Sequence, residues 1–336
     1  MNRLKNIYFW VIIAAVVAMV LGTSCKNAIT DPSNATGKAY ELIITVDQQL
    51  WDGELGDTLR SIFMEPVGML NQTEPLFDVL RINPAGLTGF IRQHRNIVIV
   101  NIDKEKSEPA SYAMYDTYSK PQIIVTVSAP TATSMAAYLS ENRAELQELF
   151  ESTERSRSVA LNSRAKERML SGEVTKMFGI RMDVPRGYTE RARSGDDFLW
   201  LSNEQAASSQ GIVIYKYPYS GNEDFLTENI IKRRTEFTSK IPGPSAGSYM
   251  ITGLVVEPEV KYMTIYGRQW VEMRGFWDVE NDFMGGPFVN YTTLDAVNNQ
   301  IISIDYYVFS PRNPKRNLLR SLEHTVYSVQ FPPFED

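Results

Sequence analysis

The stretch QWVEMRGFWDV, residues 269–279, decides how the second half of the chain folds, because its side chains alternate in character and predict a long β-strand. Successive side chains on a strand point to opposite faces. One face is apolar and carries Val271, Met273, Trp277 and Val279. The other face is aromatic and charged and carries Trp270, Glu272, Arg274, Phe276 and Asp278. Such a face is either covered by packed helices or open as a groove for a sugar or a peptide.

Strand-like segments follow one another closely around this stretch. They are residues 180–184, 198–202, 212–219, 248–256, 260–266, 288–293 and 301–309. Short turns between them predict an antiparallel sheet, and a helix after Asn222 and another over residues 314–328 would pack on it. Tyrosines on one face of the strand 212–219 complete a candidate binding face that comprises Tyr215, Tyr217, Tyr219, Trp270, Glu272, Arg274 and Phe276.

The first half mixes strands and helices. Strands are predicted at residues 40–46, 76–82, 96–102 and 122–127. Helices are predicted at residues 52–63, where Leu55, Leu59 and Ile62 have helical spacing, and at residues 85–92, after Asn83 and Pro84. This order predicts an α+β sandwich with helices on one face of a sheet.

A long helix over residues 131–170, with a strongly charged second part, separates the halves. The sequence therefore predicts an α+β protein of two sheet-plus-helix modules, the second a mainly antiparallel sheet with packed helices. The predicted domains span residues 39–170 and 171–336, with a boundary near residue 170.

The amino terminus has the pattern of a secretory signal over residues 1–24. Arg3 and Lys5 precede an uncharged apolar run, residues 7–21, and small residues follow it. The run is too short to cross a bilayer comfortably, because a spanning helix needs about 20 apolar residues. Residues 25–38, KNAITDPSNATGK after the cysteine, are polar and predict a flexible tether.

The only cysteine of the 336 residues, Cys25, ends this signal, and a lone cysteine has no disulfide partner. The segment LGTSC, residues 21–25, resembles the lipobox of bacterial lipoproteins, with Gly22 where that motif usually has a branched apolar residue. The resemblance implies that Cys25 is acylated and anchors the mature chain in a membrane. An Asp after the cysteine would resemble an inner-membrane retention signal, and an acidic cluster there would resemble a surface-export signal of Bacteroidota lipoproteins. This chain has Lys26 and no such cluster, so the resemblance implies the periplasmic face of the outer membrane.

The composition argues against several classes of partner and cofactor. Loss of Arg3 and Lys5 with the signal would change the formal net charge from −6 to −8, whereas nucleic acids and anionic lipid surfaces attract basic proteins. His94 and His324 are the only histidines, so no His/Cys metal site of usual spacing can form, and we expect no cofactor.

Two short motifs have plainer interpretations than the chemistry they suggest. GPSAG, residues 243–247, matches the nucleophile elbow, but a helix precedes it and a strand follows it, which is the reverse of the required order. Asp278, Glu280 and Asp282 resemble the start of a calcium loop, but Phe283 and Val289 replace its glycine and its final glutamate. We expect a loop and a hairpin turn.

The chain resembles an uncharacterised family of Bacteroidota lipoproteins, a domain of unknown function, in the phrases LWDG (50–53), EPLFD (74–78), RNIV (95–98) and VPRGY (184–188). The element order of the second half, with the turn VPRGY, resembles small α+β domains of the Mog1/PsbP-like kind. The family resemblance implies no catalytic residues.

Three functions remain open from the sequence. The first is a non-catalytic lipoprotein that binds or scaffolds an envelope protein or glycan. The second is a hydrolase that acts on glycan or peptide through two carboxylates, which would need a raised pKa on one of them. The third is an accessory subunit of a transport or lipid-handling system, which would need an apolar cavity between sheet and helix.

Overall fold

The computed structural model describes residues 33–333, which form two large β-sheets with packed helices and one short two-stranded sheet. The fold is α+β, as the sequence predicts. The signal over residues 1–24, Cys25 and the first part of the predicted tether lie outside the described residues. Within residues 33–333, no helix is both long and apolar enough to cross a membrane.

The first sheet has the strand order β3-β2-β4-β7-β5. Its strands are β2 (Glu41–Thr45), β3 (Asp78–Ile82), β4 (Asn96–Ile102), β5 (Ala110–Tyr115) and β7 (Ile123–Ala129). Neighbours among β2, β3, β4 and β7 pair in parallel, and β5 pairs antiparallel with β7. Parallel pairs need crossovers, and the helices α1 (Gln48–Trp51) and α2 (Glu54–Phe63) supply the one between β2 and β3.

Helical spacing in α2 places Leu55, Leu59, Ile62 and Phe63 in the main core of this half. The predicted helix over residues 85–92 is instead two 3₁₀ turns, Pro84–Gly86 and Ile91–Gln93. Leu87 lies between these turns and packs on the opposite sheet face, against Ile43, Ile97 and Ile124.

The predicted long helix over residues 131–170 is divided. The structure has α3 (Ala132–Glu141), α4 (Arg143–Arg164) and α5 (Arg168–Phe178). A capping box of Thr131 and Ser134 starts α3. Gly172 lies inside α5, and the left-handed Gly179 (φ 71°) ends that helix.

The second sheet is curled and antiparallel, with the strand order β11-β13-β14-β15-β10-β9-β8, and β12 also pairs with β13. Its strands are β8 (Thr189–Ser194), β9 (Phe198–Gln205), β10 (Ser208–Pro218), β11 (Tyr249–Gly253), β12 (Glu259–Ile265), β13 (Arg268–Glu280), β14 (Gly286–Asp295) and β15 (Gln300–Phe309). The stretch 269–279 forms most of β13, as predicted.

Helices cover both faces of this sheet. On one face, α5 and α7 (Arg316–Glu323) pack on a cluster that includes Trp270, Tyr291 and Tyr306. On the other face, α6 (Thr227–Thr238) packs on Tyr215, Met273 and Trp277. Two 3₁₀ turns, Asn222–Phe225 before α6 and His324–Ser328 after α7, complete these layers.

The end of the predicted tether belongs to the first domain. Strand β1 (Ser33–Asn34) pairs in parallel with β6 (Ser119–Lys120), and the N–H of Thr36 donates to the carbonyl of Gln93. Gly37 has φ +90°, and a Cβ there would lie 2.2 Å from Nε2 of His94. The prediction of a flexible segment up to residue 38 was therefore wrong from Ser33 onward, because polar composition does not reveal backbone pairing with distant strands.

Candidate functional site

The structure divides the candidate binding face between two sides of the second sheet. Tyr215 and Tyr217 lie under α6, where Tyr215 is 1% exposed and its ring stacks 4.5 Å from that of Phe237. Tyr219 is half-buried near Phe225. Trp270 belongs to the cluster on the opposite face. The seven residues therefore do not form one surface. Alternation assigns the side chains of one strand to its two faces, but it does not show which faces of two different strands lie on the same side of the sheet.

Trp270 is buried and lines a cavity of about 560 Å³. The Phe331 ring lies 6.4 Å from the Trp270 ring, and the Arg268 guanidinium lies 3.5 Å from the centre of Phe331. Phe276, on the same strand face, is half-buried. This cavity lies beside the carboxyl-terminal segment and is separate from the space between the domains.

Glu272 and Arg274 face the first domain and begin a chain of ion pairs. Arg274 contacts Glu272 at 2.8 Å and Glu323 at 2.8 Å. Arg320 of α7 then contacts Glu323 at 3.0 Å and Glu151 of α4 at 2.9 Å. The network therefore links the second sheet through α7 to a helix of the first domain.

The charges in this network keep Glu272 ionised. Burial alone would raise the pKa of Glu272, but the Arg274 charge and hydrogen bonds from Arg274 and Tyr291 hold it below its usual range. Burial opposes the charge of Arg274, while Glu323 and Glu272 raise the pKa of its guanidinium. These residues line an interdomain cavity of about 550 Å³ that also contains Glu148 and Glu259; we call it the carboxylate cavity.

A second and larger interdomain cavity, of about 920 Å³, lies on the other side of the contact between α4 and α7. Its basic side chains outnumber its acidic ones. The basic side chains are Arg95, Lys120, Arg157 and Arg164, and the acidic side chains are Asp116 and Glu154. We call it the arginine cavity. Tyr115 and Leu161, both exposed, supply apolar surface, and Asn317 and Ser321 of α7 close it from the second domain.

The wall of the arginine cavity is a cluster built from the start of β4 and the middle of α4. Glu154, 2% exposed, accepts from Arg95 Nη2 (2.7 Å), Arg157 Nη1 (2.8 Å) and Asn96 Nδ2 (2.7 Å). Arg157 also donates to the Asn96 Oδ1 and to the Arg95 carbonyl. Burial, opposed by the charge of Glu154 and reinforced by that of Arg95, lowers the pKa of Arg157 to about 10.

His324 separates the two cavities and lines both. Its Nε2 lies 3.3 Å from the Tyr40 hydroxyl, and its Nδ1 has no partner among the described residues. Burial, followed by the charges of Arg320, Arg155 and Arg274, lowers the pKa of His324 well below 6.5. The imidazole is therefore neutral at neutral pH.

The two short motifs are a loop and a hairpin. In the segment 243–247, Ser245 Oγ donates to Asp282 Oδ2 at 2.5 Å, and His324 lies elsewhere, between the domains. Asp278 and Glu280 are exposed on β13. In the described part of the chain, no group of three or more His, Cys, Asp or Glu side chains is arranged to hold a metal ion.

Sequence reasoning missed the arginine cavity. Arg95 and Arg157 are 62 residues apart, and only the pairing of β4 with its neighbours and the packing of α4 bring them together. Two signals were available: the strong charge of residues 151–168 on a helix, and the arginine directly before an apolar strand. Neither identifies its partner without the fold.

Comparison with known proteins finds two family matches. Residues 35–162 match the family described as Domain of unknown function (DUF8532), and residues 167–328 match Domain of unknown function (DUF4837). No curated protein matches this chain.

Two solved structures of Mog1 are weakly similar to this chain. The Saccharomyces cerevisiae Ran-binding protein Mog1p has 12% identity and a TM-score of 0.31, with 46% of this chain and 91% of that chain covered. A mutant of protein Mog1 has 11% identity and a TM-score of 0.30, with 45% and 89% covered.

Proposed function

We propose that this chain, which carries two domains of unknown function, is a non-catalytic, lipid-anchored binding protein of the bacterial envelope. Its ligand occupies the arginine cavity. The observation that carries the proposal is that a cavity of about 920 Å³ is lined by side chains of both domains. Ligand pockets typically enclose about 300–1,000 Å³ and often lie at domain interfaces.

The domains are held in a fixed relation around this cavity, which favours a preformed site. Glu74 of the first domain accepts from the N–H groups of Lys315 (2.6 Å) and Arg316 (2.9 Å) at the start of α7. Asn317 of α7 donates to the carbonyl of Ala39 at 3.1 Å. A preformed site loses less conformational entropy when a ligand binds.

Binding is favoured over hydrolysis by the state of the carboxylate cavity. A glycoside hydrolase needs one carboxylic acid with a raised pKa to protonate the leaving group. Here the pKa of Glu272 is lowered, and Arg274 lies between Glu272 and Glu323 as a shared cation. Glu272, held ionised in this way, accepts hydrogen bonds and does not donate a proton.

The anchor in this proposal is Cys25, acylated after removal of residues 1–24, on the periplasmic face of the outer membrane. The first described strand, β1, starts at Ser33, so the connection from Cys25 to it spans only a few residues. Fully extended, it would reach only about 28 Å, at about 3.5 Å per residue. The body would therefore stay close to the lipid surface, and stable attachment needs two or more acyl chains.

Two alanines of α4 provide a matched test of the cavity. Ala160 lines the arginine cavity, whereas Ala144 is exposed near the other end of the same helix and lines none of the cavities described above. We expect native mass spectrometry of protein from envelope membranes to show a bound molecule on the wild type and on Ala144→Trp, and to show it strongly reduced on Ala160→Trp. Equal occupancy in the two variants, or a wild type without any bound molecule, would contradict the proposal.

The anchor is tested separately by palmitate labelling of the wild type and of Cys25→Ala. We expect the wild type to carry the palmitate label and to associate with the membrane, and we expect Cys25→Ala to do neither. Equal labelling of both chains would remove the lipoprotein part of the proposal and leave the cavity experiment unaffected.

A further inference from the structure

We propose that the arginine cavity binds an organic anion, a phosphate or carboxylate group attached to an apolar body, at Arg95, Arg157 and Arg164. This inference rests on the proposed function, because it names the chemical class of the ligand for the same site. It is carried by charge balance, by unsatisfied donors and by the apolar surface beside them.

The hydrogen-bonded cluster contains two cations and one anion, and the next carboxylate that acts on Arg157 is Asp116, which also lines the cavity. Arg95 and Arg157 share a single carboxylate, Glu154, at 2.7 Å and 2.8 Å. The side chains of Arg157 and Glu154 are 7% and 2% exposed, so little water screens them. A buried cation that shares its carboxylate is costly, and an anion in the cavity would reduce that cost.

The cluster also has unsatisfied hydrogen-bond donors. Nε of Arg95 and Nε of Arg157 are buried and have no hydrogen-bond partner among residues 33–333. Guanidinium groups bind carboxylate and phosphate through paired, charge-assisted hydrogen bonds. A group with more than one acceptor oxygen is therefore the ligand that these guanidinium groups favour over a cation or a neutral alkyl group.

The other side chains that line the arginine cavity also suit an anion with an apolar body. Arg164 lines the rim from the last turn of α4 and is exposed. Leu161, 67% exposed, and Tyr115, 58% exposed, lie on the same wall, where an apolar group of the ligand would cover them. The formal net charge of the whole chain is −6, so an anion would be attracted by this cluster and not by the protein in general.

The test uses three probes in calorimetric titrations of the full chain: inorganic phosphate, hexyl phosphate and hexanol. We expect hexyl phosphate to bind about tenfold more tightly than inorganic phosphate, because its chain buries apolar surface, and hexanol to show no saturable binding. Binding of hexyl phosphate should weaken as salt increases. Hexanol binding as tightly as hexyl phosphate would overturn the proposal.

Matched arginine variants locate the site. Arg164→Gln and Arg95→Gln should each weaken hexyl phosphate binding about tenfold. Arg143→Gln, at the other end of α4 and paired with Glu65, should leave the affinity unchanged. Because Arg95 also bonds to Glu154, the affinity of Arg95→Gln is interpreted only if its melting profile is unchanged. If Arg95→Gln unfolds, the affinity of Arg164→Gln alone decides the test. Equal affinities for Arg164→Gln and Arg143→Gln would overturn the proposal.

The two proposals fail differently. If Ala160→Trp removes a natural bound molecule while no hexyl phosphate binds to the wild type, the cavity is a binding site and the anion proposal is wrong. If the Ala160→Trp and Ala144→Trp variants carry the same bound molecule, the function proposed for the cavity is wrong as well.

Discussion

At the scale of single residues, the environment decides what a side chain can do. His324 is on the closing helical segment that the sequence predicts, but its neighbours come from both domains. Tyr40 lies 3.3 Å away, and burial together with three arginines lowers the pKa of His324. The same holds for Tyr215, whose strand was predicted and whose face the sequence left either covered by helices or open; α6 covers it. Charge and exposure at one position depend on residues far away in the chain.

His324 leads to a prediction about pH. Its folded-state pKa lies well below the unfolded value of 6.5, so the unfolded chain binds a proton that the folded chain does not. Its contribution to stability is complete above pH 6.5 and is lost as the pH falls toward the folded pKa, by at most about 1.4 kcal/mol per pH unit. We expect His324→Gln to flatten the decline in the free energy of unfolding between about pH 6.5 and pH 5, as measured by urea titration.

The control for this experiment is His94→Gln, because His94 is the other histidine and lies outside the interface between the cavities. A pH profile that is the same for His324→Gln and the wild type would contradict the assignment of a buried, neutral imidazole.

At the scale of elements, α6 is fixed to the second sheet by a buried ion pair. Arg234 Nε donates to Asp305 Oδ2 at 2.7 Å, and both side chains are fully buried. Asn290 donates to the same carboxylate, and the Arg234 guanidinium lies 3.6 Å from the centre of the Phe288 ring. Burial raises the pKa of Asp305 despite the neighbouring Arg234. The pair therefore determines where α6 lies on β15, although the removal of both charges from water costs free energy.

Removing one member of this pair should be strongly destabilising. We expect Arg234→Met to lower the free energy of unfolding by about 3–5 kcal/mol, because Asp305 would remain buried without a partner. The neighbouring Arg233→Met should change it by less than about 1 kcal/mol, since the pair of Arg233 with Glu236 is at the surface. Chemical denaturation of the three proteins checks this, and the double variant Arg234→Met, Asp305→Leu should recover much of the loss.

At the scale of the whole molecule, α7 joins the domains. Its first N–H groups are capped by Glu74 from the other domain, and Arg316 bonds to the carbonyl of Pro75 and to Asp78. Arg320 continues the contact to Glu151 of α4. Because one helix serves both domains, the first domain stabilises an element of the second, and the cavities exist only when the domains are docked.

We therefore expect residues 33–333 to unfold in a single thermal transition, and Glu74→Ala to lower the free energy of unfolding by about 0.5–2 kcal/mol, the usual effect of removing a helix cap. Glu105→Ala, at an exposed position of the same domain, is the control. Two separate transitions in the wild type, measured by calorimetry, would show that docking contributes little to stability.

The sequence by itself determined the positions of the strongest strands and the antiparallel plan of the second half. The segments 96–102 and 269–279 match β4 and β13 closely, because alternation and β-branched composition act between neighbours in the chain. It did not find β8, whose side chains are mostly exposed and polar, or the breaks in the helix after Glu141 and Arg164.

Only the tertiary structure decided which faces are covered and which charges meet. Arg95, Glu154 and Arg157 form one cluster, and Tyr215 and Trp270 lie on opposite sides of a sheet. The physical reason is that burial and ion pairing depend on distances between residues far apart in sequence. Local patterns determine which element a residue joins, and the packing of those elements sets its neighbours.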